Sequence, residues 1–324
     1  KIIRYMKYVF LWLNQDTTNL GSCIEFEMID EYITRGGLND VIHIDNKNIN
    51  NYDLRSLIEN NNYRLVILAT INTLRTLNCF FTEIKKLDYY PKFNQCTLIH
   101  MGDEGFNTPC DSERNKLYTL FKNVIRFGNK DSNKYSKSIH VVPMGYISGM
   151  RRDDAPLTLA SQRKYNWVWF GAIKLDRQHM INSLKLIEPC YYYNSRTWGG
   201  SMNNIGNNTK KFLRIAKFVP CSCGNVCVES ERYAIALESG AIPLIKKYRK
   251  GELKALRTGF DDYYSLLFED SSYPLPSFYE WEHMKSFIEN ISDDDLDILQ
   301  KKCLDWWIKN KDYFGKKMCD VIRS

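Results

Sequence analysis

The sequence predicts an α/β protein built from two consecutive halves, and three observations carry that prediction. Short, continuously apolar runs recur, each followed by a stretch of helical periodicity; the alternation breaks down between residues 146 and 164; it then starts again at Tyr165–Phe170. Strands that are apolar throughout, alternating with helices, are the pattern of a parallel sheet covered on both faces. At 324 residues the chain exceeds a typical single domain, so an N-terminal domain over residues 1–150 and a C-terminal domain over 151–324 are expected.

In the first half, Tyr8–Leu13 reads as a buried strand, followed by a polar loop and a helix from about Gly21 to Ile33. Val41–Ile44 is a second strand, Tyr52–Glu59 a short helix and Leu65–Ala69 a third strand. A helix over Ile71–Leu87 leads to the strand Cys96–His100. Leu117–Phe121 reads as helix, and Asn123–Arg126 and His140–Gly145 complete the strands of the sheet. In the second half Tyr165–Phe170 opens a new sheet, and Asp176–Ile187 is a helix whose apolar face is Met180, Ile181, Leu184 and Ile187. Tyr191–Asn194 is a short strand, the loop Thr197–Ser201 carries an indole expected to be buried, and Thr209–Lys217 is a helix. Beyond residue 260, a helix near Phe278–Glu289 precedes a long helix over Asp294–Tyr313, with Leu296, Leu299, Cys303, Trp306 and Trp307 on its apolar face.

The composition is 44% hydrophobic and 14% aromatic, enough to fill sizeable cores and unlike a disordered chain. Forty-five Lys+Arg against 38 Asp+Glu leave +7, spread in short clusters rather than gathered on one patch, which favours small phosphate ligands over nucleic acid. The ten cysteines form no Cys-x-x-Cys pair, and no His lies near Cys221, Cys223 and Cys227, so free buried thiols are expected and a structural zinc is not. No apolar run is long enough for a membrane span. Lys1 stands where an initiator Met would, consistent with a removed leader or anchor, and two Asn-x-Ser/Thr sequons matter only in a secretory lumen; the compartment stays open between cytoplasm and Golgi lumen.

The stretch richest in chemistry is Lys217–Lys247. It reads as a strand ending at Pro220, a small-residue loop through Cys223 and Gly224, a helix from about Asn225 to Ser239, Gly240 as the helix stop, and a buried strand Ala241–Ile245. The first turn of a helix presents unpaired N–H groups at the positive end of its dipole, so a phosphate is expected over Cys223–Val228. Arg232 is placed to hold a diphosphate bidentately, and Glu229 and Glu238 to accept hydroxyls. Gly171 with Arg177 repeats the loop-plus-helix pattern one unit earlier.

The residues Glu229, Ser230 and Arg232, then Ala236, then Gly240-x-Ile242-Pro243, resemble the nucleotide-sugar motif of exostosin-type glycosyltransferases, Ser-x-Arg-x-x-Glu-Ala-x-x-x-Gly-x-Ile-Pro. The resemblance covers roughly thirty residues. It implies the GT-B fold, two Rossmann-like domains facing across a cleft with a C-terminal helix packing back on the first, acceptor side in the N-terminal domain and UDP-sugar in the C-terminal one. It also implies an inverting transfer to a glycan or other hydroxyl acceptor without a metal or other cofactor. The family's ribose-contacting glutamate falls on Ile235 here, leaving Glu231 or Glu238 to replace it.

Inversion requires a base, and the Gly102–Gly105 segment at the C-terminal edge of the first sheet supplies Asp103 and Glu104, with His100 and Asp16 next in line. A tight turn with capping acids explains Gly102–Gly105 nearly as well. The alternative function is a nucleotide- or glycan-binding protein that keeps the fold without turnover. A P-loop or G-x-G-x-x-G enzyme is excluded because neither motif occurs.

Overall fold

In a computed structural model the chain is described over residues 6–13, 26–59, 63–70, 74, 77–87, 89–101, 115–128, 138–195, 209–224, 228–249, 251–252 and 263–324. It divides into two compact units. The first is Lys1–Pro143 with Lys311–Ser324, the second Met144–Asn310.

The first unit carries six parallel strands in the order β2-β1-β3-β4-β5-β6. In chain order its elements are β1 (Lys7–Trp12), α1 (Phe26–Arg35), β2 (Val41–Ile44), α2 (Leu54–Glu59), β3 (Tyr63–Thr70), α3 (Leu77–Lys85), β4 (Thr97–Met101), β5 (Asn123–Phe127) and β6 (Ile139–Val142). Successive residues of a strand face opposite sides, and in β1 Val9 and Leu11 are as buried as Phe10 and Trp12, so both faces of the sheet are covered. One face packs Val9, Leu11, Ile67 and Leu98 against Phe80, Ile84, Phe93 and Phe121. Edge-to-face rings such as Phe80 on Phe121 add direction to that burial.

The second unit holds five parallel strands in the order β11-β10-β9-β7-β8. Its elements are β7 (Tyr165–Gly171), α4 (Arg177–Leu184), β8 (Cys190–Asn194), β9 (Ala216–Cys221), α5 (Arg232–Glu238), β10 (Ile242–Lys246), α6 (Tyr263–Phe268), β11 (Ser277–Phe278), α7 (Trp281–Asn290) and α8 (Asp293–Arg323). Pro243 is tolerated inside this sheet because β11 is short. The amides of Ile245 and Lys247 donate to Pro276 and Phe278, and residue 243, whose amide would face the same way, lies before that strand begins. The segment 146–164, expected as a linker, has little regular structure but is firmly held: the Arg152 amide donates to Glu238 at 2.7 Å and its guanidinium to the Leu237 carbonyl at 2.6 Å.

The last helix, α8, runs 31 residues, ten beyond the expected stop at Tyr313, and its final turns belong to the first unit. Gly315 is the reason. A Cβ there would lie 2.7 Å from the Tyr32 carbonyl of α1, so the helix approaches α1 at backbone contact where a side chain would hold it off. Charge then fixes the crossing: Glu31, almost fully buried, accepts from Lys311 at 2.8 Å and from Arg35 at 2.7 Å. Arg64 donates to the Ile322 carbonyl at 3.0 Å, satisfying an acceptor that the helix C-terminus leaves open. The expected packing of a C-terminal helix on the first domain is thus present.

Candidate anion site at the second sheet

In a parallel sheet the loops that follow the strands gather at their C-terminal edge. In the second unit this edge brings together Gly171 at the end of β7, Arg177 at the start of α4, Ser222–Gly224 after β9, Arg232 at the start of α5 and Tyr248 after β10. Trp169 and Gly171 are two residues apart on β7 and so share a face. The Arg232 guanidinium carbon lies 5.5 Å from the Trp169 ring centroid, within cation–π range. Its Nε donates to the Phe170 carbonyl at 3.4 Å. Gly171 has φ +153°, and a Cβ there would meet Arg232 Nη2 at 2.8 Å, so the guanidinium occupies the space that a side chain would fill.

Arg177 is buried and bonded differently. Its Nη1 donates to Ala172 O at 2.9 Å and its Nη2 to Cys223 O at 2.8 Å. Two guanidinium groups therefore hold carbonyls on either side of Gly171. Burial, and after it the charge of Arg232, pushes the Arg177 guanidinium down to about 10. Among the described residues neither arginine forms an ion pair with a carboxylate. Glu231 precedes Arg232 and its charge acts on Arg177, and next to Arg177 stands Asp176, whose carboxyl is raised by burial despite accepting from the Tyr248 hydroxyl at 2.9 Å.

The structure corrects the sequence-based helix. Residues 228–231 are not helical, and α5 begins only at Arg232 and has seven residues. The cause is long-range: Ser230 Oγ donates to the Ser222 carbonyl at 3.0 Å, and Glu229, fully buried, accepts from the Met144 amide at 2.7 Å. Those side chains anchor an irregular segment that local periodicity renders as a turn of helix. Among the described residues of the stretch expected to meet an anion, Cys223, Gly224 and Val228 are not helical.

Of the residues singled out from the sequence, Gly171, Arg177, Gly224, Ser230 and Arg232 come to this edge. Glu238 sits at the far end of α5, buried, with one oxygen accepting from the Arg152 amide and the other from Trp307 Nε1 at 2.6 Å. Ile235 is buried as well. Asp103, Glu104, Asp16 and the Trp198 loop lie outside the described residues. His100 is fully buried on β4, its Nδ1 3.0 Å from Arg126 Nη1 and in contact with the Tyr118 hydroxyl, a core setting as expected for a strand residue. Burial raises the thiols of Cys223, to about 11, and Cys221, so they stay protonated at neutral pH. Trp169, Asp176 and Tyr248 were not singled out from the sequence. Tyr248 was hidden within the basic run Lys246–Lys250, and Trp169 within an apolar strand.

Two all-parallel sheets in sequential units, with the last helix returning to the first unit, define the fold. It is the GT-B fold. An alpha-glucosyltransferase solved in complex with UDP superposes with a TM-score of 0.60 over 98% of this chain and 100% of its own, at 9% identity. Weaker likenesses are to Anabaena HepE in complex with UDP (TM-score 0.47, 11% identity, 98% and 100% covered) and to an alpha-1,3-fucosyltransferase (TM-score 0.44, 13% identity, 95% and 82% covered). No protein-family model matches the sequence, and no curated protein sequence matches it. None of these three structures is described as an exostosin, so that resemblance rests on the motif at residues 229–243. No helix among the described residues is long and apolar enough to cross a membrane.

Proposed function

We propose that the chain is a glycosyltransferase that moves a hexosyl or pentosyl group from a UDP-sugar to a hydroxyl of a glycan or other acceptor. The diphosphate is assigned to the C-terminal edge of the second sheet. The observation that carries this reading is the state of Arg232. Its two outer nitrogens bond nothing among the described residues, it lies over an indole and beside a glycine that leaves it room, and a second buried arginine without a paired carboxylate stands next to it. An open guanidinium fork at a sheet edge, with the charge of a second guanidinium beside it, fits a diphosphate. The fold shared with a glucosyltransferase solved with UDP supports the same reading.

In the transfer an acceptor oxygen attacks the anomeric carbon in line, the bond to the diphosphate oxygen breaks with its electron pair, and the acceptor proton passes to a base. Arg232 offsets the charge that develops on the leaving phosphate, which is why a divalent cation is not assigned a role. Asp103 or Glu104 is the proposed base. Asp103→Asn or Glu104→Gln then lowers the transfer rate by about 10²–10⁴-fold with UDP affinity retained. Activity abolished by EDTA and restored by manganese would overturn the metal-independent part.

Calorimetry of UDP binding tests the site. Replacing Arg232 by Ala weakens UDP by about 1.5–3 kcal/mol, the scale of a charged hydrogen-bond partner. An unchanged affinity in a folded variant rejects it. A second reading, a UDP-sugar binder without turnover, is favoured by one feature: Ile235 stands where the resembled motif has a glutamate, and Glu238 is engaged elsewhere. UDP binding without transfer or donor hydrolysis selects that alternative.

A further inference from the structure

Four side-chain and backbone groups at the site close into a ring. Asp176 and Arg177 are neighbours in sequence. Arg177 Nη2 donates to the Cys223 carbonyl at 2.8 Å, the Cys223 amide donates to the Tyr248 hydroxyl at 3.0 Å, and that hydroxyl donates to Asp176 Oδ2 at 2.9 Å. The ring thus holds both the N–H and the C=O of one residue, Cys223, from two different side chains. Arg177 also reaches Ala172 O, and Tyr248 follows β10, so the exits of β7, β9 and β10 are tied together. A second clamp on the same turn, Ser230 Oγ on Ser222 O at 3.0 Å, leaves two consecutive residues before Gly224 pinned by side chains.

Arg177 has little left to offer a ligand. Both terminal nitrogens bond the chain, and only Nε, buried, has no partner. Arg232 has the reverse arrangement: among the described residues its Nε bonds the chain and its terminal nitrogens do not. A planar fork that spans two carbonyls is a geometry Lys does not reproduce, since an ammonium has one nitrogen where the guanidinium presents two. Tyr248 is buried, so its hydroxyl serves this ring and not solvent.

We infer that Asp176, Arg177 and Tyr248 are positioning residues: a frame that fixes the Ser222–Gly224 turn beside Arg232 so that a diphosphate meets a preformed site, without themselves being its ligands. This rests on the nucleotide site proposed above and assigns each arginine a distinct part in it. A rigid turn loses less freedom when the ligand arrives, so loosening the frame shows as lost affinity before it shows as lost fold.

The experiment measures UDP and inorganic pyrophosphate binding by calorimetry, and thermal stability, for the intact chain and for Tyr248→Phe, Arg177→Lys, Arg177→Met and Arg232→Lys. Tyr248→Phe keeps the aromatic side chain and removes the one oxygen that joins Cys223 to Asp176. It weakens both ligands by roughly tenfold, the low end of what removing a group behind a binding residue typically does, while the melting temperature moves by no more than a few degrees. Arg177→Lys weakens them as much as Arg177→Met, because charge without the fork does not hold two carbonyls. Arg232→Lys retains a measurable part of the affinity that Arg232→Ala loses. Wild-type affinity in folded Tyr248→Phe overturns the frame, as does rescue of Arg177→Met by Arg177→Lys, which makes Arg177 a direct electrostatic ligand. If the unaltered chain binds neither UDP nor pyrophosphate, the nucleotide site itself is rejected, a result distinct from either of those.

Discussion

Arg163 and Arg232 stand at opposite ends of the same seven-residue helix, and both pack against a glycine at positive φ. A Cβ on Gly240 would meet Arg163 Nη2 at 2.6 Å, and one on Gly171 would meet Arg232 Nη2 at 2.8 Å. The two differ in what their guanidinium groups bond. Arg163 is buried and donates to Thr158 O at 3.1 Å, to Ala216 O at 3.0 Å at the start of β9, and to Ser239 O at 3.3 Å at the C-terminal end of α5. Among the described residues Arg232 donates once, to Phe170 O. Burial costs a cation its hydration, and a protein recovers that by filling every donor site. Where it does so, the arginine serves the fold; where donors are left open beside a second cation, the arrangement awaits an anion.

The largest effect that tests this contrast is on stability. Arg163→Met strands several buried carbonyls, each costing about 1–3 kcal/mol when left without a donor. Folding is expected to weaken by about 3–5 kcal/mol in urea titrations, with UDP affinity per folded molecule unchanged. The contrast fails if Arg163→Met unfolds no more readily but binds UDP poorly. Next in size is the pair Gly171→Ala and Gly240→Ala. Both force an L-residue into a conformation that costs about 1–3 kcal/mol, so both lower stability. Only Gly171→Ala displaces Arg232, and only it is expected to weaken UDP, by about tenfold, or 1.4 kcal/mol. Equal UDP affinities in the two variants would show that the space beside Arg232 has no bearing on the ligand.

The sheets were legible because buried parallel strands are short runs that need no partner to be recognised. Val41–Ile44 was read to the residue, and Tyr165–Phe170 within one. What misled the reading was each place where a distant group overrides a local signal. The last helix was expected to stop at Tyr313, yet it continues through Gly315, where α8 touches Tyr32 of α1. Val228–Glu231 carried helical periodicity, yet Glu229 is held by Met144, eighty-five residues earlier in sequence. Arg232 was legible as a cation in a strand–loop–helix setting. Its indole support and the Asp176–Tyr248 frame were not, because Tyr248 lies seventy-two residues from Asp176 and nothing nearby in sequence marks either as its partner. Glu238 was read as a hydroxyl acceptor on spacing alone, but spacing does not reveal that Trp307 and Arg152 fill it.

The smallest expected effect separates the two ends of the helix by their dependence on pH. The bonds of Arg163 go to carbonyls, which do not titrate, whereas the frame at the other end includes Asp176, which accepts from the Tyr248 hydroxyl. Burial raises the Asp176 carboxyl above its ordinary 3.8, outweighing the opposing influences of the Tyr248 hydrogen bond and of Lys246 and Arg177. The folded protein therefore holds this proton to higher pH than the unfolded chain does. Ionised Asp176 subtracts from stability at every pH above its folded value, and the subtraction fades as pH falls from there towards 3.8. Asp176→Asn is never ionised and keeps an oxygen for the Tyr248 hydroxyl, so it leaves the frame around Cys223 in place. It is expected to be slightly more stable than the parent at pH 7 in urea titrations, with the difference gone at pH 3.5. An advantage that is absent at pH 7, or that grows on acidification, would mean that Asp176 is stabilised as a carboxylate by Arg177, and Arg177 would then be compensated without any ligand.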